Sequence, residues 1–308
     1  MGARWVAGVT RARAMAAARL GPGAARSLAG TPTPAEAVRA LAGTPYRRGL
    51  DPQSGTEEAQ RAVLDALVWQ LRVLAGWQPR AGAVAVRLLA SGFEIANTRE
   101  LLDALDSGRP TAPYRLGALA TVWPRLSRAR TADGIRTVLA TSVWGDPGAD
   151  TRGAILTGMR LSAAARTAAQ VPPAARWAAG SAALLVAREA HLTGRPLPAP
   201  AARDASRLLG TPAVRAATYT DYRARLAPAA RWALADIERP EDLWRAEARW
   251  WAAVDRDGQA LLTGSRFALP AVVGTVAVLG ADAWRVRAAL GRAAHGERAR
   301  EVFDELVG

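Results

Sequence analysis

Three polar side chains stand out in "VRLLASGFEIANTRELLDALDSGRP", residues 86–110: Glu94, Asn97 and Arg99. They interrupt an apolar frame of helical period, and Asn97 is the sole asparagine of the chain. Polar groups in so apolar a helix must serve either a chemical site or the contacts between helices. The rest of the chain supplies little to complete a chemical site. There is no cysteine, so thiol nucleophiles, structural disulfides and cysteine-ligated metals are excluded. All 41 basic residues are arginine, which removes the phosphate-loop lysine, a Schiff-base lysine and a pyridoxal phosphate anchor together. His191 and His295 are the only histidines, and they read as surface or helix-end residues. No GxSxG elbow accompanies the serines and no HExxH pair is present. "GPGAAR" at 21–26 lacks both the spacing and the preceding strand of a dinucleotide fingerprint. No cofactor or metal is expected.

The arginines give a formal charge of +14, which favours anionic partners: acidic proteins, anionic lipid or nucleic acid. The runs "RRG", "RLSRAR" and "RARLAPAARWALADIER" are candidate phosphate binders. Aromatic and basic residues do not alternate in them as in a base-stacking platform, so a solvated helix face is the plainer account. An arginine-rich helical nucleic-acid-binding protein is the alternative reading, and a helical enzyme with a carboxylate site is a third. Of the eleven tryptophans, Trp250 and Trp251 are adjacent. Successive helical residues point about 100° apart, yet burial of both rings in the core is the simpler expectation.

The elements carrying these residues read as helices throughout. Half the residues are apolar, alanine dominates them, and no segment alternates like a strand, so the fold class is all-α. The spacing predicts a helix over 1–20, a turn-rich connector over 21–34, and a short helix capped by Thr33 with Pro34 first and Glu36 in its first turn. A long helix follows, capped by Thr56, with Glu57 and Glu58 at its positive end and Val63, Leu67, Leu71 and Leu74 on one face. Residues 86–110 read as one helix, with Leu88, Ile95 and Leu102 seven apart and Gly108 and Pro110 as its stop. Further helices are expected near 115–130, 131–141, 152–170, 174–192, 201–209, 220–236, 240–262, 268–279 and 281–306. Arginines break every apolar run near the N-terminus. The longest run, Phe267 to Ala281, is shorter than the ~20 residues that span a bilayer. A soluble, cytoplasmic chain is expected.

Helix ends repeat. "LLDALDSGRP" and "AREAHLTGRP" end 86 residues apart, at Pro110 and Pro196. In "GADAWRVRAALGRAAHGE", at an offset of 188, Asp282 matches Glu94, Arg287 matches Arg99 and Gly296 matches Gly108. Three related ends imply a degenerate triplication.

The stretch "FEIANTRELLDALDSG" resembles the signature of the C-type stalk component of V/A-type ATPases, the homologue of the eukaryotic d-type component. Glu94, Ile95, Asn97, Arg99, Leu101, Leu102 and Gly108 fall on its places. Asp103 and Leu105 depart from it, standing where that family has basic residues. The arginine-rich first helix, "GTPY" at 43–46 and the long C-terminal helices occur in the family's order. The resemblance implies a funnel of three pseudo-threefold-related helical bundles, with approximate bounds 1–110, 111–200 and 201–308. It implies a non-catalytic component of the central stalk, peripheral on the inner face of the membrane. That component links the proteolipid ring to the D and F subunits of the central shaft and transmits torque for ion transport, with the proton as the expected ion. Neither nucleic acid nor nucleotide would bind it. Glu94, Asn97 and Arg99 would then be hydrogen-bonded groups at helix contacts.

Overall fold

The computed structural model describes residues 3–264 and 266–295, and these form an all-α chain with no strand among them. Six helices come first: α1 (Ala3–Ala17), α2 (Gly21–Ala29), α3 (Pro34–Leu41), α4 (Thr56–Gly76), α5 (Arg80–Leu89) and α6 (Ser91–Ser107). The middle holds α7 (Trp123–Leu126), α8 (Ala132–Ala140), α9 (Arg152–Gln170) and α10 (Ala175–Val186), the last continuing as a π-helix over Ala187–Leu192. Then come α11 (Ala199–Leu209), α12 (Thr211–Val214), α13 (Tyr219–Arg225), α14 (Pro228–Arg231), α15 (Leu243–Thr263) and α16 (Leu269–His295).

Several starts follow from sequence chemistry. Thr33 accepts a hydrogen bond from the Glu36 N–H, and Pro34 opens α3. In α4 the cap is Gly55 and Thr56 is the first helical residue; Glu58 accepts from the Gly55 N–H at 3.2 Å. Other expectations are corrected. The supposed connector at 21–34 contains α2, because Pro22 sits in its first turn, where no N–H is needed. Residues 86–110 are two helices, broken at Ala90 (φ −86°, ψ 0°). Only a 3₁₀ turn (Gly117–Leu119) and the four-residue α7 occur within 115–130. The helix expected over 220–236 is divided before Pro228, where Leu226 and Ala227 are extended. The last two expected helices are continuous through Gly280 as α16, whose described part ends at His295.

The chain forms two compact units. One contains the residues up to Val86 and those from Trp251 on; the other is Arg87–Trp250. The dividing points lie within α5 and α15. In the first unit α16 is the central strut, packed on by α1, α2, α3 and α4. The stretch Leu269–Ala293 is long and apolar enough to cross a membrane by length and composition, but 78% of its apolar window is buried, as in a core helix. Close packing lets Gly258 of α15 and Gly274 of α16 meet, and Trp251 stacks on Trp284 with centroids 5.7 Å apart.

In the second unit α9 is shared by two cores. Leu126, Ile135, Leu139, Ile155 and Met159 pack with α6 on one. Leu161, Ala182, Leu209, Tyr222 and Leu234 form the other. The tryptophan pair therefore splits. Trp250 is half-buried in the second unit, where its Nε1–H donates to the Trp177 carbonyl at 2.9 Å. Trp251 is half-buried in the first.

Candidate functional site

Helix α6 turns three polar side chains into the second unit, and each is fully occupied by nearby backbone. Glu94, Asn97 and Thr98 are all buried. Thr98 Oγ1 donates back to the Glu94 carbonyl at 2.8 Å. The Asn97 amide forms a two-bond pair with Tyr114: Nδ2 donates to its carbonyl at 2.9 Å and Oδ1 accepts from its N–H at 2.7 Å. The Tyr114 ring meets Phe93 edge-on at 5.2 Å. Glu94 reaches further along the same returning segment. Its Oε2 accepts from the Thr121 N–H at 2.8 Å and its Oε1 from the Val122 N–H at 2.6 Å. Val122 caps α7 and has no side-chain oxygen to bind the helix's first amides. The buried carboxylate from α6 holds the two amides just ahead of that helix, those of Thr121 and Val122.

Arg166 of α9 interacts favourably with Glu94, while its own burial lowers the guanidinium's pKa. Its Cζ lies 5.3 Å from the Trp144 ring centroid.

The first unit repeats this device. Asp282 of α16 is buried and grips two consecutive amides where α2 begins: Leu20 N–H at 3.0 Å and Gly21 N–H at 2.8 Å. It also accepts from the Tyr46 hydroxyl at 2.8 Å. Burial first, then the Asp282 charge, push the Tyr46 pKa well above its ordinary value. One turn along, buried Arg285 donates to Asp255 at 2.9 Å, and Gln259 donates to the same Asp255 oxygen. Thus Glu94 and Asp282, paired by their 188-residue offset, act alike. In that register Arg285 takes the place of Asn97.

The other expected site residues separate. Arg99 is exposed, which corrects the expectation of a buried, hydrogen-bonded group. It lies five residues beyond Glu94, about 140° around the helix. Arg287 is half-buried, and its carbonyl accepts from Gln60 Nε2 at 3.4 Å. Gly108 ends α6 at φ 69°, with its N–H bonded to the Ala104 carbonyl. Gly296 lies outside the described residues.

The two GRP segments also share construction. Gly108 and Gly194 are both left-handed, at φ 69° and 65°. Ser107 and Thr193 each donate to the carbonyl four residues back, on Asp103 and Glu189 respectively. Both acids pair with arginine, Asp103 with Arg152 at 2.7 Å and Glu189 with Arg195 at 2.9 Å.

His191 lies on the π-helix against Tyr222 and Tyr219, with centroids 5.0 and 5.9 Å away, and burial lowers its pKa. Among the described residues no group of three or more His, Asp or Glu side chains could hold a metal. Sequence reasoning did not assign roles to Tyr46, Tyr114 or Arg166. A signal for the two tyrosines exists in "PYRRG" at 45–49 and "PYRLG" at 113–117, whose glycines both have positive φ.

The Asn97 pairing carries a measurable expectation. Asn97→Leu leaves the Tyr114 N–H and carbonyl without their partner and lowers stability by roughly 1–3 kcal/mol. Urea unfolding followed by circular dichroism checks it; an unchanged midpoint contradicts it.

Comparison with family models and with curated proteins finds no match for this chain.

Proposed function

We propose that this chain is a non-catalytic central-stalk connector of a V/A-type rotary ATPase. In this reading three helical bundles surround a pseudo-threefold axis as a funnel. The funnel rests on the proteolipid ring at the cytoplasmic face of the membrane and receives the shaft formed by the D and F subunits. It carries torque between ion flow and ATP turnover elsewhere in the complex.

The observation that supports the reading is one kind of contact made at two matched positions. Glu94 and Asp282 make the same clasp on consecutive amides. The two GRP helix ends share their back-bonded hydroxyl and left-handed glycine. Stiffness suits a torque-bearing part, and it is supplied by buried clasps and by glycine-mediated helix contact. The net charge of +14 suits docking on acidic surfaces through guanidinium–carboxylate pairs, which salt screens beyond about 8 Å.

The test is reconstitution. The chain is stripped from membranes carrying the complex, and ATP-driven ion pumping and ATP hydrolysis are measured separately. Pumping is expected to stop while hydrolysis continues, and adding the chain back restores pumping. The isolated chain is expected neither to bind nor to hydrolyse ATP. Pumping that persists without the chain rules the connector out.

A further inference from the structure

We propose that the groove between α13 and α14 docks an acidic amphipathic helix of a partner protein, independently of the stalk reading. The groove holds about 660 Å³, within the range of ligand sites, and is lined by Arg223, Ala224, Pro228, Arg231, Trp232 and Leu234 among others. Its origin is the break in the arginine-rich run "RARLAPAARWALADIER". Pro228 begins a new helix after two extended residues, so α13 and α14 are separate elements that both line the groove. The Ala227 N–H is pinned to the Leu209 carbonyl at 3.0 Å. The run then leaves the groove through Asp236, whose φ of 58° is the only positive value of a non-glycine among the described residues. A backbone held in that region just beyond a concavity is a feature that clusters at ligand clamps.

The lining decides the occupant. It contains two guanidinium groups and no carboxylate, and its remaining surface is largely apolar. Arg231 is exposed and anchored by one donor to the Leu226 carbonyl at 3.1 Å, which leaves its other donors for a ligand. Arg223 is half-buried, with its Cζ 5.8 Å from the Tyr219 ring. Trp232 spends its Nε1–H on the Ala229 carbonyl and carries Arg176 on its ring at 3.9 Å. The indole is therefore fixed and offers apolar surface. Of the nearby acids, Asp221 and Asp242 are each engaged by an arginine, at 3.7 and 3.2 Å, and exposed Asp236 follows the last lining residue, Ala235, outside the lining itself.

An apolar floor with a cationic rim complements apolar side chains flanked by carboxylates. A helix presents that pattern on one face, at spacings of three and four. Tryptophan and arginine are also the residues that dominate interface hot spots. A nucleic acid fits less well. A single indole with one face taken by Arg176 is no stacking platform, and phosphates would leave the apolar floor uncovered.

The experiment uses the full chain and a fluorescein-labelled peptide of about five helical turns. The peptide carries leucine on one face and glutamate on both flanks. Anisotropy is expected to report binding that weakens with salt. Arg223→Glu with Arg231→Glu is expected to weaken it by about tenfold or more. Arg109→Glu with Arg128→Glu, equal in charge change and exposed elsewhere, leaves it within about twofold. Ala224→Trp, which fills the groove from an exposed position, weakens binding without lowering the melting midpoint. The proposal is overturned if a lysine-flanked peptide binds equally, or if a serine-faced acidic peptide binds as tightly as the leucine-faced one. It is also overturned if the groove variants bind unchanged, or if a single-stranded oligonucleotide displaces the peptide.

Discussion

Glu94→Ala lowers the unfolding free energy by about 3–5 kcal/mol. The carboxylate makes two short bonds to the Thr121 and Val122 amides, and hydrogen bonds to charged groups are worth ~1.5–3 kcal/mol each. Alanine removes both acceptors at a buried position. It also takes the compensating charge from half-buried Arg166. Glu94→Gln keeps one acceptor but turns an NH₂ toward a backbone N–H, so a smaller loss of roughly 2 kcal/mol is expected. Arg166→Met separates the contributions. In a double-mutant cycle, the Glu94→Ala loss shrinks when Arg166 is already gone, because no uncompensated cation remains. Urea unfolding supplies the numbers. A Glu94→Ala loss below about 0.5 kcal/mol would mean that the amides find other partners and the clasp does not hold the segment.

The second large effect is expected at Gly274. A Cβ there would lie 2.5 Å from the Gly258 carbonyl oxygen and 3.0 Å from the Leu261 Cβ. The first obstacle is backbone, which cannot rotate away. Gly274→Ala therefore separates α15 from α16 or strains both. We expect a loss of about 2–4 kcal/mol, even though alanine favours a helix interior over glycine by ~1 kcal/mol. Gly280→Ala is the internal control. Its Cβ would meet only the Trp251 ring, at 3.5 and 3.8 Å, which is ordinary contact. It is expected to be neutral or to stabilise by up to about 1 kcal/mol. Thermal melts of the two variants side by side decide the matter. Equal midpoints would show that the helix contact yields easily.

What the sequence made legible depended on whether side chains or backbone carried the information. The start of α3, the buried face of α4 and the stop at Gly108 all rest on side-chain or glycine chemistry, and all appear as expected. The burial of Glu94 and Asn97 could be anticipated from their apolar frame. Their partners could not, because every residue except proline carries the same N–H and carbonyl. Arg99 was misplaced because it shared the motif; helical phase alone turns it to solvent. The glycines misled in both directions. Gly21 and Gly23 made α2 look like a connector, although Pro22 suits a first turn. Gly280 looked like a break, yet α16 runs through it, because its buried apolar face holds the helix more firmly than one glycine weakens it.

The two clasps also define what the gripped segments are free to become. A carboxylate that binds main-chain amides does not read the side chains attached to them. Positions 20, 121 and 122 can therefore exchange residue types widely without changing the bond, whereas position 21, at φ 81°, is held to glycine by its own backbone. The one residue they exclude is proline, which has no N–H to give. Residue identity at these three points can drift while the local path of the chain is preserved, because the clasp is written in main-chain atoms and not in side chains.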